Sequence, residues 1–261
     1  MARIDTALGA IGFAESGAGG VPLVFLHGVG SDKSAWLPQL VHFGSSRRTI
    51  ALDYPGYGES EPPSAGADAP HDCFAAVILA ALDTLGVGRL HLCGLSLGGV
   101  VAIAIAHQAP ARLASLILAD TFAVHPDGTA ILDRSIAASN DMAALARARV
   151  PALLAPDPDP ALVADLTDVM ARIGPAAFRL GSSAVWPADQ RDRAAAIAAP
   201  TLILCGAEDR VTPPALSDAL AAIVPNAWRV DIPAAGHLPN LEQPAAFNAA
   251  LDDFLAALAS A

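Results

Sequence analysis

Cysteine is scarce in this chain of 261 residues: only Cys73, Cys93 and Cys205 occur. An odd number with no CxxC pair excludes a disulfide framework and a thiolate zinc site, and it fits a reducing compartment. Positive charge is scarce as well. Lys and Arg number 15 against 26 Asp and Glu, a formal net charge of −11. With no basic cluster and no aromatic-basic alternation, nucleic acid is not expected as a partner. Long unbroken apolar runs are also missing, although 54% of the residues are hydrophobic. The longest apolar stretch, Leu90 to Ala106, is interrupted by His91, Ser96 and three glycines, and reads as a buried strand plus a buried helix rather than a membrane span. Met1 to Asp5 lacks the apolar region of a signal peptide, and no linker or internal repeat is visible. The expectation is a cytoplasmic α/β protein with no membrane partner.

What is present centres on Gly94-Leu95-Ser96-Leu97-Gly98, a G-x-S-x-G pattern. A chain of this length should contain one by chance with a probability of roughly 0.1, so the flanks decide its meaning. Leu90 to Cys93 is a short apolar run of strand type, and Val100 to Ala109 is rich in Ala, Ile and Val and reads as a buried helix. Ser96 therefore sits on a strand-to-helix turn. Such a turn must be sharp to lift the Ser96 hydroxyl above the sheet edge, and side chains at positions 94 and 98 would collide there. It also places the Leu97 backbone N–H at a helix N-terminus, where free donors and the helix dipole favour an oxyanion.

The remaining pattern alternates strands and helices. Ile11 to Glu15 reads as an early strand, Pro22 to Leu26 as a strand covered on both faces, Ser34 to Phe43 as a helix, Arg48 to Leu52 as a strand and Asp72 to Leu85 as a helix. Leu113 to Ala119 is another buried strand. From about residue 122 to 192 strand signals vanish, and short helical segments surround Asp157-Pro158-Asp159-Pro160. This stretch reads as a helical cap inserted between core segments 1–121 and 193–261 of a single domain. Strands return at Pro200 to Cys205 and Trp228 to Ile232, with helices at about Ala215 to Ile223 and Pro244 to Leu258. The fold class is α/β, a mostly parallel sheet flanked by helices. In such sheets ligands bind beyond the carboxyl ends of the strands, where Val29, Ser96, Asp120, Asp209 and His237 all fall.

A serine hydroxyl is a poor nucleophile at neutral pH and needs a base that can return the proton to a leaving group; His237, in a Gly-rich loop, suits that task. A carboxylate must hold the imidazole tautomer. Asp209 follows Ser96 and precedes His237 in the order Ser, Asp, His, while Asp120 and Glu208 are rival acids near strand ends. His42, His71, His91, His107 and His125 have no comparable loop setting. His27-Gly28-Val29-Gly30 ends a strand, and Val29 is the candidate second oxyanion donor. Asp53, followed by Pro55 and Gly56, reads as a residue that fixes a turn.

Leu26-His27-Gly28, the loop Asp53 to Ser60, Gly94 to Gly99, Gly206 to Asp209 with Pro213-Pro214, and Ala235-Gly236-His237 together resemble the α/β-hydrolase superfamily over nearly the whole chain. Within it, His27 to Asp32, Cys93 to Gly99 and His237 to Asn248 are most similar to 3-oxoadipate enol-lactonases. The resemblance implies the α/β-hydrolase fold, Ser96 as nucleophile, Asp209 and His237 as its partners, and Val29 and Leu97 as oxyanion donors. It implies two-step acyl transfer on an ester or lactone, without a metal or organic cofactor. General short-chain carboxylesterase, carbon-carbon bond hydrolase and perhydrolase activities are alternatives, as is a non-enzymatic ligand receptor on the same fold. An anionic substrate would want a cation, and Arg134, Arg147, Arg149, Arg172 and Arg179 all lie in the cap region.

Overall fold

The computed structural model describes residues 2–62 and 70–260. Eight strands form one sheet: β1 (Ala2–Thr6), β2 (Gly9–Ser16), β3 (Leu23–Leu26), β4 (Thr49–Leu52), β5 (Leu90–Leu95), β6 (Leu113–Ala119), β7 (Thr201–Gly206) and β8 (Trp228–Ile232). Their order is β1-β2-β4-β3-β5-β6-β7-β8. β2 pairs antiparallel with both β1 and β4, and every pairing from β4 to β8 is parallel. The continuous apolar runs become the central strands. All residues of β3, β4 and β7 are buried, as covering on both faces requires.

The order places β3 and β5 side by side, with Leu26 opposite Gly94. The loops that leave these two strands, one carrying Gly28 and Val29 and the other Ser96, therefore emerge together at the carboxyl edge. β6 follows β5 in the sheet and β7 follows β6, so Asp120 and the loop after Gly206 open on the same edge.

Helices cover the sheet: α1 (Leu37–Gly44), α2 (Pro70–Thr84), α3 (Leu97–Gln108), α4 (Gly128–Ala138), α5 (Met142–Leu153), α6 (Pro160–Ala171), α7 (Pro175–Val185), α8 (Arg191–Ala195), α9 (Pro214–Ile223), α10 (Pro239–Glu242) and α11 (Pro244–Ala259). Residues 97 to 106 of α3 are all buried. A helix enclosed on every side shows no amphipathic stripe, which is why its sequence reads as uniformly apolar. No helix among the described residues is long and apolar enough to cross a membrane.

Two elements depart from expectation. The helix expected over residues 34–43 begins instead as a 3-10 turn, Lys33–Trp36, capped by the Asp32 carboxylate on the Ser34 N–H at 2.8 Å; α1 follows with Pro38 in its first turn. β1 was not expected, because Ala2–Thr6 is largely exposed and carries no apolar alternation. It exists as one arm of a hairpin, with Ile4 opposite Ile11 of β2.

Between β6 and β7 the chain makes five helices, α4 to α8, and no strand. The two ends of this segment meet in an isolated antiparallel bridge between Val124 and Asp189. Beside it, the Gln190 N–H donates to Ala123 O at 2.8 Å and the Gln190 side-chain amide donates to Val100 O at 2.7 Å. The helical segment thus leaves and rejoins the sheet layer at one place, next to the start of α3.

Candidate active site

The turn from β5 into α3 is tight enough to force Ser96 to a φ of 56° and a ψ of −114°, a region that side chains rarely occupy. Its surroundings leave no alternative. A Cβ at Gly94 would collide with the carbonyl of Gly98, and one at Gly98 with the carbonyl of Leu26. The Ser96 N–H donates to Ala119 O at 3.0 Å, and the Thr121 hydroxyl donates to Ser96 O at 2.9 Å, so the strained residue is tied to β6 and the loop after it. Among the described residues no protein acceptor takes the backbone N–H of Leu97 or of Val29.

Val29 lies in a loop held from behind. His27 Nδ1 is 2.8 Å from Gly28 O; a carbonyl only accepts, so Nδ1 carries the hydrogen. Burial lowers the His27 pKa, against the pull of Asp53, which keeps the ring neutral. Below it sits Lys33, the single lysine of the chain, only 2% exposed. Its Nζ donates to Asp53 Oδ2 at 2.6 Å and also pairs with Glu59. Asp53 further accepts the Lys33 N–H at 2.8 Å and the Glu59 N–H at 3.1 Å. Burial alone would pull the Lys33 ammonium down, but Asp53 and Glu59 outweigh it and hold its pKa above the ordinary value. Asp53 therefore fixes its own turn and, through Lys33, the start of the helix that follows the Val29 loop.

On the far side, His237 Nδ1 lies 2.8 Å from Asp209 Oδ2. The same carboxylate accepts the Thr212 hydroxyl at 2.6 Å and the N–H groups of Val211 and Thr212 at 2.7 and 3.1 Å. Burial would raise the Asp209 pKa, yet the charge and hydrogen bond of His237, with the Thr212 bond, bring it down to about 2. Asp120 is fully buried and bonds the Gly206 N–H at 2.8 Å rather than the imidazole. Burial, reinforced by the charge of Asp209, pushes its pKa well above the usual carboxylate range. Glu208 is exposed. Of the three carboxylates that chain order leaves open, Asp209 alone bonds His237 among the described residues.

Asp120, Cys205 and Asp209 present ligand atoms within 4.8 Å of one another, but they do not suit a cation. The Asp209 oxygens are already occupied by four donors, Asp120 favours its protonated form, and burial pushes the Cys205 thiol up to about 12.

Ser96 and His237 line one narrow cavity of about 30 Å³, together with Val29, Leu153, Leu166 and Met170. Its walls from α5 and α6 were not legible in sequence, since helical apolar residues carry no mark of what they face. The His237 loop is bound to the same helices: its N–H donates to Leu153 O at 2.6 Å. Glu242 clasps both sides, accepting from Ala155 N–H at 2.6 Å and from Gly236 N–H at 2.9 Å. Of the five arginines singled out, Arg149 lines the cavity. Arg179 is engaged elsewhere, with Ser139 and Asn140.

Residues 23–250 match the model of the alpha/beta hydrolase family. RutD of Klebsiella pneumoniae, named as a carbamate hydrolase, is 30% identical over 92% of this chain and 93% of its own length. 3-Oxoadipate enol-lactonase 2 of Acinetobacter baylyi is 27% identical over 93% of this chain and 92% of its own. A shorter match, 43% identical, takes in 41% of this chain but spans only 28% of the acetyltransferase component of the acetoin cleaving system of Pseudomonas putida. The crystal structure of the enol-lactonase from Burkholderia xenovorans superposes with a TM-score of 0.90 at 26% identity, covering 98% of this chain and 100% of that one.

Proposed function

The chain belongs to the alpha/beta hydrolase family, and on that premise we propose that it is a serine hydrolase that opens carboxylic esters or lactones through an acyl-enzyme. The observation that carries this reading is the 2.8 Å contact between His237 Nδ1 and Asp209. It engages one ring nitrogen and leaves Nε2 able to act as a base in the cavity that Ser96 shares.

The steps follow from these positions. His237 Nε2 takes the hydroxyl proton as Ser96 Oγ bonds the substrate carbonyl carbon. The oxygen that gains the electron pair sits between the N–H groups of Val29 and Leu97, at the positive end of α3. As the tetrahedral species collapses, the imidazolium returns its proton to the departing alkoxide. In a lactone that oxygen stays tethered through the acyl chain. Water then attacks the acyl carbon, giving its proton to His237, and Ser96 leaves with that proton restored. Asp209 holds the tautomer throughout and balances the imidazolium charge. The helical segment between β6 and β7 acts as a cap, since α5 and α6 close the cavity over Ser96.

Kinetics on short-chain 4-nitrophenyl esters and on an enol-lactone test the reading. Ser96→Ala should lower kcat by several powers of ten, on the order of 10⁴-fold or more, and should abolish labelling by a fluorophosphonate. A variant that kept a tenth of the activity would remove Ser96 from the chemistry.

A further inference from the structure

Arg149 stands on the wall between two spaces. On one side is the cavity of Ser96 and His237; on the other is a wider hollow, open to solvent and about 570 Å³ in volume, bordered also by Arg134, Arg210 and Trp186. Three arginines thus line this hollow, and no acidic residue lines either space among the described residues. That is a marked local reversal in a chain with 26 acidic and 15 basic residues.

The Arg149 guanidinium lies 5.7 Å from the centroid of the Trp186 ring, a cation-π seat that limits its rotation. Trp186 is itself stacked on Phe122 and edged by His125. Arg149 Nε is shielded from solvent and has no acceptor. Burial lowers the Arg149 pKa, and Tyr57, which could oppose this only as an anion, has its own pKa raised by burial and stays neutral. Arginine remains charged even so. A partly desolvated cation with no anion beside it among the described residues is a costly thing to keep, because its field and its donors go unused. Its fork matches a carboxylate with two parallel N–H···O bonds.

We infer that Arg149 binds a carboxylate on the substrate, so that the preferred esters or lactones are those whose acyl portion carries a second, ionised carboxyl group. Arg134 and Arg210, at the rim, raise the local potential against a net charge that would otherwise repel such a substrate. The inference rests on the serine-hydrolase reading above.

The test uses the mono-4-nitrophenyl esters of succinic, glutaric and adipic acids, each against its methyl-capped neutral diester. The readout is the ratio of kcat/KM for the anionic ester to that for its capped partner. The wild-type ratio should exceed one for at least one chain length. Arg149→Gln should lower it roughly thirtyfold, mainly through KM, and Arg149→Lys should restore part of it. In the wild-type enzyme, raising salt to about 0.5 M should shrink the ratio without any substitution. A wild-type ratio of one or less at every chain length, or a ratio that neither Arg149→Gln nor salt changes, overturns the inference. Failure of the hydrolase reading looks different: neither member of any pair would then be turned over in a manner that Ser96→Ala abolishes.

Discussion

The Thr212 hydroxyl donates to Asp209 Oδ2 at 2.6 Å, to the same oxygen that His237 Nδ1 contacts at 2.8 Å. Thr212 is fully buried, so no water can take its place. A charge-assisted bond of this kind contributes about 1.5 kcal/mol or more, close to one power of ten in rate. Thr212→Val should therefore cut kcat about tenfold, and Thr212→Ser should recover most of the loss in the same ester assay.

The two buried carboxyls near His237 should respond in opposite ways to amidation. Asp209→Asn places an amide where the imidazole needs an acceptor, and kcat should fall by about 10⁴-fold. Asp120→Asn replaces a carboxyl whose pKa burial raises, and which does not contact the imidazole, with a group of the same shape, and kcat should stay within about threefold of wild type. Equal losses from the two substitutions would mean that the imidazole is held by the pair rather than by Asp209.

These carboxyls also predict opposite effects of pH on stability. The folded Asp209 pKa of about 2 lies below its ordinary value of 3.8, so the ionised group stabilises the fold above about pH 4. That stabilisation is lost as pH falls from about 4 to 2, and wild-type Tm should drop through this window more steeply than that of Asp209→Asn. Asp120 has a raised folded pKa, so it weakens the fold increasingly as pH climbs past the ordinary carboxylate value. The Tm advantage of Asp120→Asn should grow between about pH 4 and pH 7 by calorimetry.

Removing one partner of the buried ion pair beneath the Val29 loop should be expensive. Lys33→Met leaves Asp53 uncompensated in a site with no exposure, and urea unfolding should report a loss of about 3–5 kcal/mol. Lys33→Met combined with Asp53→Leu should lose less than the two single substitutions added together.

Gly98→Ala sets a Cβ against the carbonyl of Leu26 in a neighbouring strand, where neither backbone can yield. The expected cost is about 3 kcal/mol, read as a lowered urea midpoint with loss of ester turnover. Gly86→Ala, where no atom lies within 4 Å, meets no such clash and tests only its φ of +67°.

The parts of the molecule that were legible in the sequence are those where one local rule decides the outcome. Short apolar runs bounded by turn residues, such as Leu202 to Cys205, read as interior strands, and the glycines about Ser96 have a single steric explanation. The pairing of β3 with β5 then brings Val29 and Ser96 to one edge, as strand logic expects. Other features are set by tertiary contact. Asp53 reads as a turn residue, and it does bond the Glu59 N–H, but its tie to Lys33 crosses 20 positions and leaves no local pattern. Thr212 looks like any loop threonine until its hydroxyl meets Asp209. Arg149 cannot be told from Arg147 two residues earlier, because only the packed helix shows that one side chain faces the cavity and the other solvent.

The bond from the His237 N–H to Leu153 O, with Glu242 clasping Ala155 on one side and Gly236 on the other, makes the roof of the pocket a structural support of the His237 loop. On the serine-hydrolase reading proposed above, substrate range and catalytic competence are therefore inherited together. A chimera that exchanged residues 122–192 for those of a relative would keep a working imidazole only if the incoming segment brought a carbonyl to the place of Leu153 and an amide to the place of Ala155. Diversification in this lineage should proceed through the side chains of α5 and α6, with the backbone at their junction held constant.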